Sequence, residues 1–447
     1  MDQSAVRAIS VATLPSPEDE VIGFVRDLIC IPSVNTGNPD TIGDGEARAA
    51  RYIAERLTEV GLDSTYLEKV PGRGNLVCRI RGSEPDQPAV VLHAHLDVVP
   101  ADASEWSIPP FEGRIVDGLL YGRGAVDMKC MAGMLLALAR GIARTKLVPR
   151  RDIVFMWFSD EENGSVYGSE FLTKAHPELF HGVTEAISEV GGFSVTLPNG
   201  RRAYLLATAE KGGLRARLIA RGTAGHGALI NDDNPVTRLA AAVGRLGAHR
   251  FRLQKTPHLE ALLIGLSEAL GTTFEDDKLD EQLDRLGFIS KTIRASLRNT
   301  ANPTMLTAGY KRNVIPSVAE AMVDCRILPG ARDDFVREVA EIVGPGIEIE
   351  WTFGWTIESP VDAPLVSAMR AAILAEDPEA IILPYLLPGG TDNKLLSKIG
   401  INGYGFVPLR VPDGFDLWGL YHAVDERIPL ESLKFGVKVL DHLVRAL

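Results

Sequence analysis

Apolar positions along this chain change their spacing several times, and each change marks a predicted element. Residues 17–60 read as helical: Ser16 and Pro17 open an acidic first turn, and 47–60 carries apolar side chains at helical spacing. Short runs with β-branched content at 75–79, 89–92, 153–158 and 185–188 predict strands. Between them, the apolar stretch 131–142 is rich in small residues and predicts a helix that packs tightly on a sheet. Strands alternating with helices indicate an α/β fold with a mixed sheet.

From about Ala209 the texture changes. Segments 212–221 and 314–327 alternate apolar and polar residues, 234–246 and 333–343 read as helices, and 347–353 reads as a strand. That order matches the ferredoxin-like pattern. Leu-rich, acidic, amphipathic helices at 257–302 interrupt it as an insertion. After Pro360 the α/β texture returns, with a helix at 363–375, strands at 380–386 and 403–407, and a closing helix at 430–447. The expected architecture is a larger mixed-sheet α/β domain built from 1–208 and 356–447. A smaller ferredoxin-like α+β domain spans 209–355, with the helical insertion near 257–302.

Composition narrows the function. The 447 residues are 45% hydrophobic and 24% charged, which suits a globular chain, and the net charge of −12 argues against nucleic acid as a partner. No apolar run approaches the roughly 18 residues a membrane span needs. Residues 1–15 lack the basic-then-apolar order of a signal peptide, so a cytoplasmic location is expected. Cys30, Cys78, Cys130 and Cys325 show no metal-binding spacing and read as reduced thiols.

The chemistry lies in acidic clusters that follow β-like runs: His93-Ala94-His95-Leu96-Asp97, Gly124-Ala125-Val126-Asp127, Asp160-Glu161-Glu162 and Glu189, with His422 near the C-terminus. In α/β sheets, ligand sites form at the carboxyl ends of strands, where these residues fall. Burying so many like charges is very costly unless a cation neutralises them. His95 and Asp97 are two apart and share a strand face, so the carboxylate can fix the imidazole tautomer. His93 shares that face and reads as a core residue. Gly122-x-Gly124 lacks the third glycine of a dinucleotide loop, and no phosphate-loop lysine follows. In Asp160-Glu161-Glu162, one carboxylate on a metal and another left free would suit general-base hydrolysis.

Together, His95-x-Asp97, the segment Gly122 to Lys129, Asp160-Glu161-Glu162, Glu189 and the segment Tyr421 to Glu426 resemble the M20 family of di-zinc peptidases and deacylases. Gly225-His226, Asn313 to Pro316, Asp324-Cys325-Arg326 and Gly389 to Asp392 extend the likeness over nearly the whole chain. The resemblance implies two Zn²⁺, with Co²⁺ or Mn²⁺ as substitutes. Asp127 would bridge them, His95 and Glu189 would complete one site, and Glu162 and His422 the other. Glu161 would be the general base, and Asp97 would orient His95. His226 would reach the substrate carbonyl, from the partner subunit in dimeric members. A cis peptide is expected at Asp127–Met128. Arg326 would grip a substrate carboxylate, assisted by Asn313, Gly390 and Thr391.

The implied reaction is hydrolysis of the amide bond of a small peptide or N-acyl amino acid. Length and the helical insertion resemble the carboxypeptidase S and N-acyl-amino-acid hydrolase branch. The rival readings are an aminopeptidase or dipeptidase that recognises a free amine, and a metal-binding relic without catalysis. The resemblance makes the larger unit a zinc-peptidase-like catalytic domain and the smaller one a lid and dimerisation domain, through which a homodimer would form.

Overall fold

Ten strands assemble into one mixed sheet whose centre is three parallel neighbours, Ile153–Phe158, Ala89–His95 and Val183–Ser188, in that spatial order. The structure is a computed structural model that describes residues 15–38, 40–287 and 289–447. The segment 1–14, in which no signal-peptide order is read, lies outside the described residues.

The central strands are buried on both sides, and their side chains alternate between two cores. Leu92, Phe155 and Trp157 pack with the helices Pro17–Ile29, Lys129–Thr145 and Leu430–Ala446. Val91, Val154, Met156 and Phe158 pack with Leu172 of Ser169–Ala175 and Leu396 of Asn393–Ser397. Helices on both faces explain why these strands read as unbroken apolar runs. The small residues of Lys129–Thr145 serve a helix contact: a Cβ on Gly133 would lie 2.5 Å from Val25 Cγ2. Ser16 caps the first helix in a reciprocal box with Asp19. Among the described residues between Ile29 and Gly45, loop replaces helix.

A second sheet is antiparallel, in the order Thr300–Ala308, Val318–Ile327, Gly212–Arg221, Ile347–Phe353, the strand order of a ferredoxin-like unit. The helices Pro235–Ala248 and Arg332–Val343 cover one face. Two strands escape the sequence pattern. Thr300–Ala308 is an edge strand whose register shifts between Pro303 and Met305, because proline supplies no ladder donor. Arg202–Glu210 runs in the large sheet and is almost wholly buried, so it shows no alternation.

The helices Pro257–Leu270, Leu279–Asp284 and Ile289–Ala295 do not belong to the core of the small sheet. Leu259, Leu262, Leu266, Leu279 and Leu283 join the large core, and a Cβ on Gly265 would sit 2.5 Å from Leu383 in the strand Ile381–Leu387. The chain passes between the sheets at Lys211 and again at Gly354, whose N–H donates to the Gly213 carbonyl at 2.9 Å. Lys211 is fully buried and donates to the carbonyls of Ala295 (2.8 Å) and Arg298 (2.5 Å). Among the described residues, no helix is long and apolar enough to cross a membrane.

Candidate metal centre

Because the three central strands are parallel, their carboxyl ends share one edge, and His95, Asp160-Glu161-Glu162 and Glu189 emerge there together. Two loops add Asp127 and His422. A small antiparallel ribbon registers them: Arg427 pairs with Tyr121, and the Gly122 N–H donates to the Glu426 carbonyl at 2.9 Å.

Two donor sets result, each with its ligand atoms within 4.8 Å of one another: His95, Asp127 and Glu189, and Asp127, Glu162 and His422. Asp127 belongs to both. Its Oδ1 lies 3.0 Å from His95 Nε2, and its Oδ2 lies 3.1 Å from His422 Nε2. His95 Nε2 is also 3.6 Å from Glu189, and His422 Nε2 is 3.3 Å from Glu162. The peptide bond between Asp127 and Met128 is cis.

Electrostatics show why this cluster suits cations. Burial raises Glu161 well above the usual carboxyl range, with Glu189 adding to it. Burial, with Asp127 and Asp392 beside it, pushes Glu189 up to about 8. Burial and Asp127 also raise Glu162, whose Oε1 is buried without a hydrogen-bond partner. Burial alone would raise Asp127 too, but His422 and His95 outweigh it and hold its carboxyl low. Hydrogen bonds to Asp127 and then Glu162 lift His422 to about 10. Two imidazoles, three carboxylates and an orphaned carboxyl oxygen suit a pair of divalent ions of the zinc type.

Support for the cluster is extensive. His95 Nδ1 lies 3.0 Å from the Asp97 carbonyl and 3.4 Å from Asp97 Oδ1, which leaves Nε2 facing Asp127. The same Asp97 carboxylate accepts from Asn35 Nδ2 (2.8 Å) and from the backbone N–H groups of Glu161 and Glu162 (both 3.1 Å). Behind it, Arg73 pairs with Glu46, which accepts the Asp160 N–H at 2.8 Å. Glu426 accepts from the N–H groups of Gly124, Val126 and Asp127 and from Arg123, and so secures the Asp127 loop. Asp160, Val190, His422 and Asp425 all take positive φ, a local strain of roughly 1–3 kcal/mol each that the surrounding contacts must hold. Asn35, Glu46 and Arg73 carry no signal in the sequence, whereas Glu426 lies inside a recognised motif.

Glu161 makes no side-chain hydrogen bond among the described residues, and it lines a cleft of about 380 Å³ between the two sheets. Gly390 and Thr391 line the same cleft, and Thr391 donates its hydroxyl to buried Glu210 at 2.6 Å. Three expected residues do not line this cleft. His226 is exposed on a two-residue ribbon opposite Val314, beside exposed Asn313, and among the described residues its side chain makes no hydrogen bond or ion pair with the acidic cluster. Arg326 spends Nε and Nη2 on Asp324 (2.7 and 3.0 Å), so that edge of its guanidinium is not free for a substrate carboxylate. His93 is buried, 2.9 Å from Asn393 Oδ1, in keeping with a core role.

The family model for Peptidase family M20/M25/M40 matches residues 91–446. The chain belongs to this family. It is therefore a metal-dependent hydrolase, and the mixed-sheet architecture is that of M20 peptidases. It is 28% identical over 448 residues to the human N-fatty-acyl-amino acid synthase/hydrolase PM20D1, covering 94% of this chain and 86% of that protein. Aminoacylase-1 of Pongo abelii is 26% identical over 411 residues, covering 89% of this chain and 90% of that protein. The fold is similar to that of an M20 metallo-carboxypeptidase from Sulfolobus solfataricus, with a TM-score of 0.72, 20% identity, and 96% and 99% of the two chains covered.

Proposed function

We propose that this M20 hydrolase cleaves the amide bond of N-acyl amino acids or small peptides at a centre of two divalent ions, Zn²⁺ or in its place Co²⁺ or Mn²⁺. Asp127 would bridge the pair, with His95 and Glu189 on one ion and Glu162 and His422 on the other. The observation that carries this reading is Asp127 shared between two donor sets, with the unpaired Glu161 carboxyl beside them. When bound, the ions supply Lewis-acid polarisation of a carbonyl and a water of lowered pKa.

The protein's own residues divide the remaining work. Glu161 takes the proton of the attacking water and passes it to the leaving nitrogen, a task suited to a carboxylate that lines the cleft and that no side-chain donor occupies. Asp97 fixes the His95 ring and, through two backbone N–H groups, the turn that carries Glu161 and Glu162. The small sheet closes the cleft from above as a lid. His226 would meet the substrate carbonyl across a dimer, because in its own chain it touches none of the cluster. Exposed Leu229, Ile230, Met305, Leu306 and Tyr310 around that ribbon and the edge strand favour such a homodimer.

Among the described residues, Glu161 is the one acidic side chain lining the cleft, so a free substrate amine has no carboxylate there other than the proton carrier itself. That favours a deacylase or carboxypeptidase over an aminopeptidase. A hydrolysis screen of N-acyl amino acids and dipeptides with zinc-loaded protein tests the proposal. Turnover of N-acyl amino acids is expected; turnover only of substrates with a free N-terminal amine would contradict it.

A further inference from the structure

The cleft beside Glu161 gathers three cations with no carboxylate at ion-pair distance, although Glu210, Glu161 and Glu189 act on Lys394 from further away. Lys394, Arg332 and Lys398 all line it, and among the described residues none of their side-chain nitrogens makes a hydrogen bond or ion pair. Two of these cations meet at one ring: Arg332 lies 6.0 Å and Lys398 5.5 Å from the Trp355 centroid. Arg332 also rests on Phe353 at 4.5 Å. Lys394 stands one helical turn before Lys398 on the opposite wall. Its ammonium is seated against Gly390, where an added Cβ would fall 1.3 Å from Nζ.

This is unusual in a chain of net charge −12, where acids outnumber bases. Arg326, close by in the small sheet, does find a carboxylate in Asp324. Cation–π contact steadies the Arg332 and Lys398 heads without neutralising them. Like charges converging on one cavity raise its potential, and an anion entering between them relieves the repulsion. One carboxylate can answer Lys394 on the large-sheet wall. The pair at Trp355 is then still unanswered.

We propose that the cleft selects a substrate whose amino-acid half carries two negative charges, an N-acyl derivative or dipeptide ending in aspartate or glutamate. Lys394 holds the α-carboxylate, and Arg332 and Lys398 hold the side-chain carboxylate. The inference rests on the amide-hydrolase reading above and specifies its substrate class. It also assigns Gly390 a purpose, as the bare surface on which the Lys394 ammonium sits.

The test compares N-acetyl-L-glutamate with its neutral isostere N-acetyl-L-glutamine on zinc-loaded protein. Calorimetric binding of the products L-glutamate and L-glutamine runs beside it. A charge-assisted contact predicts about a tenfold or greater preference for the acid in kcat/KM, carried by KM. In Lys398→Gln combined with Arg332→Gln, that ratio should collapse to near unity with metal content retained. Gly390→Ala, which displaces the Lys394 ammonium, should raise KM for both acids. Equal or better turnover of the glutamine substrate by the unaltered enzyme would overturn the inference and leave the hydrolase reading intact. So would an unchanged ratio in the double variant. If no N-acyl amino acid is cleaved, the hydrolase reading fails; binding of glutamate over glutamine, lost in the double variant, would then still support the cleft's selectivity, and equal binding would end it.

Discussion

Glu426 holds Asp127 through the backbone: its Oε1 accepts the Asp127 N–H at 2.9 Å and the Val126 N–H at 2.6 Å, while Oε2 takes Gly124 N–H and Arg123. Arg123 also donates to the His422 carbonyl at 3.2 Å, so one buried acid and one base join the two loops that bring Asp127 and His422 together. Glu426→Gln leaves one carboxyl oxygen's worth of acceptors and adds a donor facing N–H groups. Metal affinity should fall about 10- to 100-fold, as is common when support behind metal ligands is lost. Competition with a chelating indicator measures it, and an unchanged affinity would make the Glu426 clamp irrelevant to the metals.

Glu161→Gln preserves shape and removes the proton carrier. Both metals should remain by elemental analysis while kcat drops about 100- to 10,000-fold, the usual weight of general acid–base catalysis. Near-normal turnover would remove Glu161 from the mechanism.

Much of this centre was legible in the sequence because its residues follow apolar strands whose parallel arrangement puts their ends on one edge. His95, Glu162 and Glu189 follow that rule, whereas Asp127 and His422 sit on loops, and the grouping of all five as ligands rested on the resemblance to the M20 family. Asn35, Glu46 and Arg73 could not be found this way: they stand on loops or at element starts without periodicity, and their role arises from long-range contact. The strand Thr300–Ala308 stayed hidden because Pro303 breaks the pattern that an edge position tolerates. Arg326 illustrates a different limit, since sequence does not reveal that Asp324, two positions away on the same face, occupies its guanidinium. The insertion was legible as helices but not in its location, because amphipathic faces do not say which sheet they cover.

Lys211, at the passage between the sheets, gives a pH prediction. Burial, with Arg326 adding to it, pulls its ammonium down to about 7 from an ordinary 10.5. A folded pKa below the unfolded one means that the unfolded chain binds more protons between these values, so this group's contribution to stability is complete above 10.5 and is lost as pH falls through 7. The difference in urea midpoint between the unaltered chain and Lys211→Met should therefore change with pH across that window, shifting in favour of the unaltered chain as pH rises. A constant difference would show that Lys211 keeps an ordinary pKa in the fold.

Metal stoichiometry tests the central claim most directly. Protein loaded with excess Zn²⁺ and then desalted should hold two ions per chain by elemental analysis. His422→Ala should retain one, and Asp127→Asn should lose most of both. A single ion in the unaltered chain, or two ions undisturbed by Asp127→Asn, would contradict a shared carboxylate at the heart of the site.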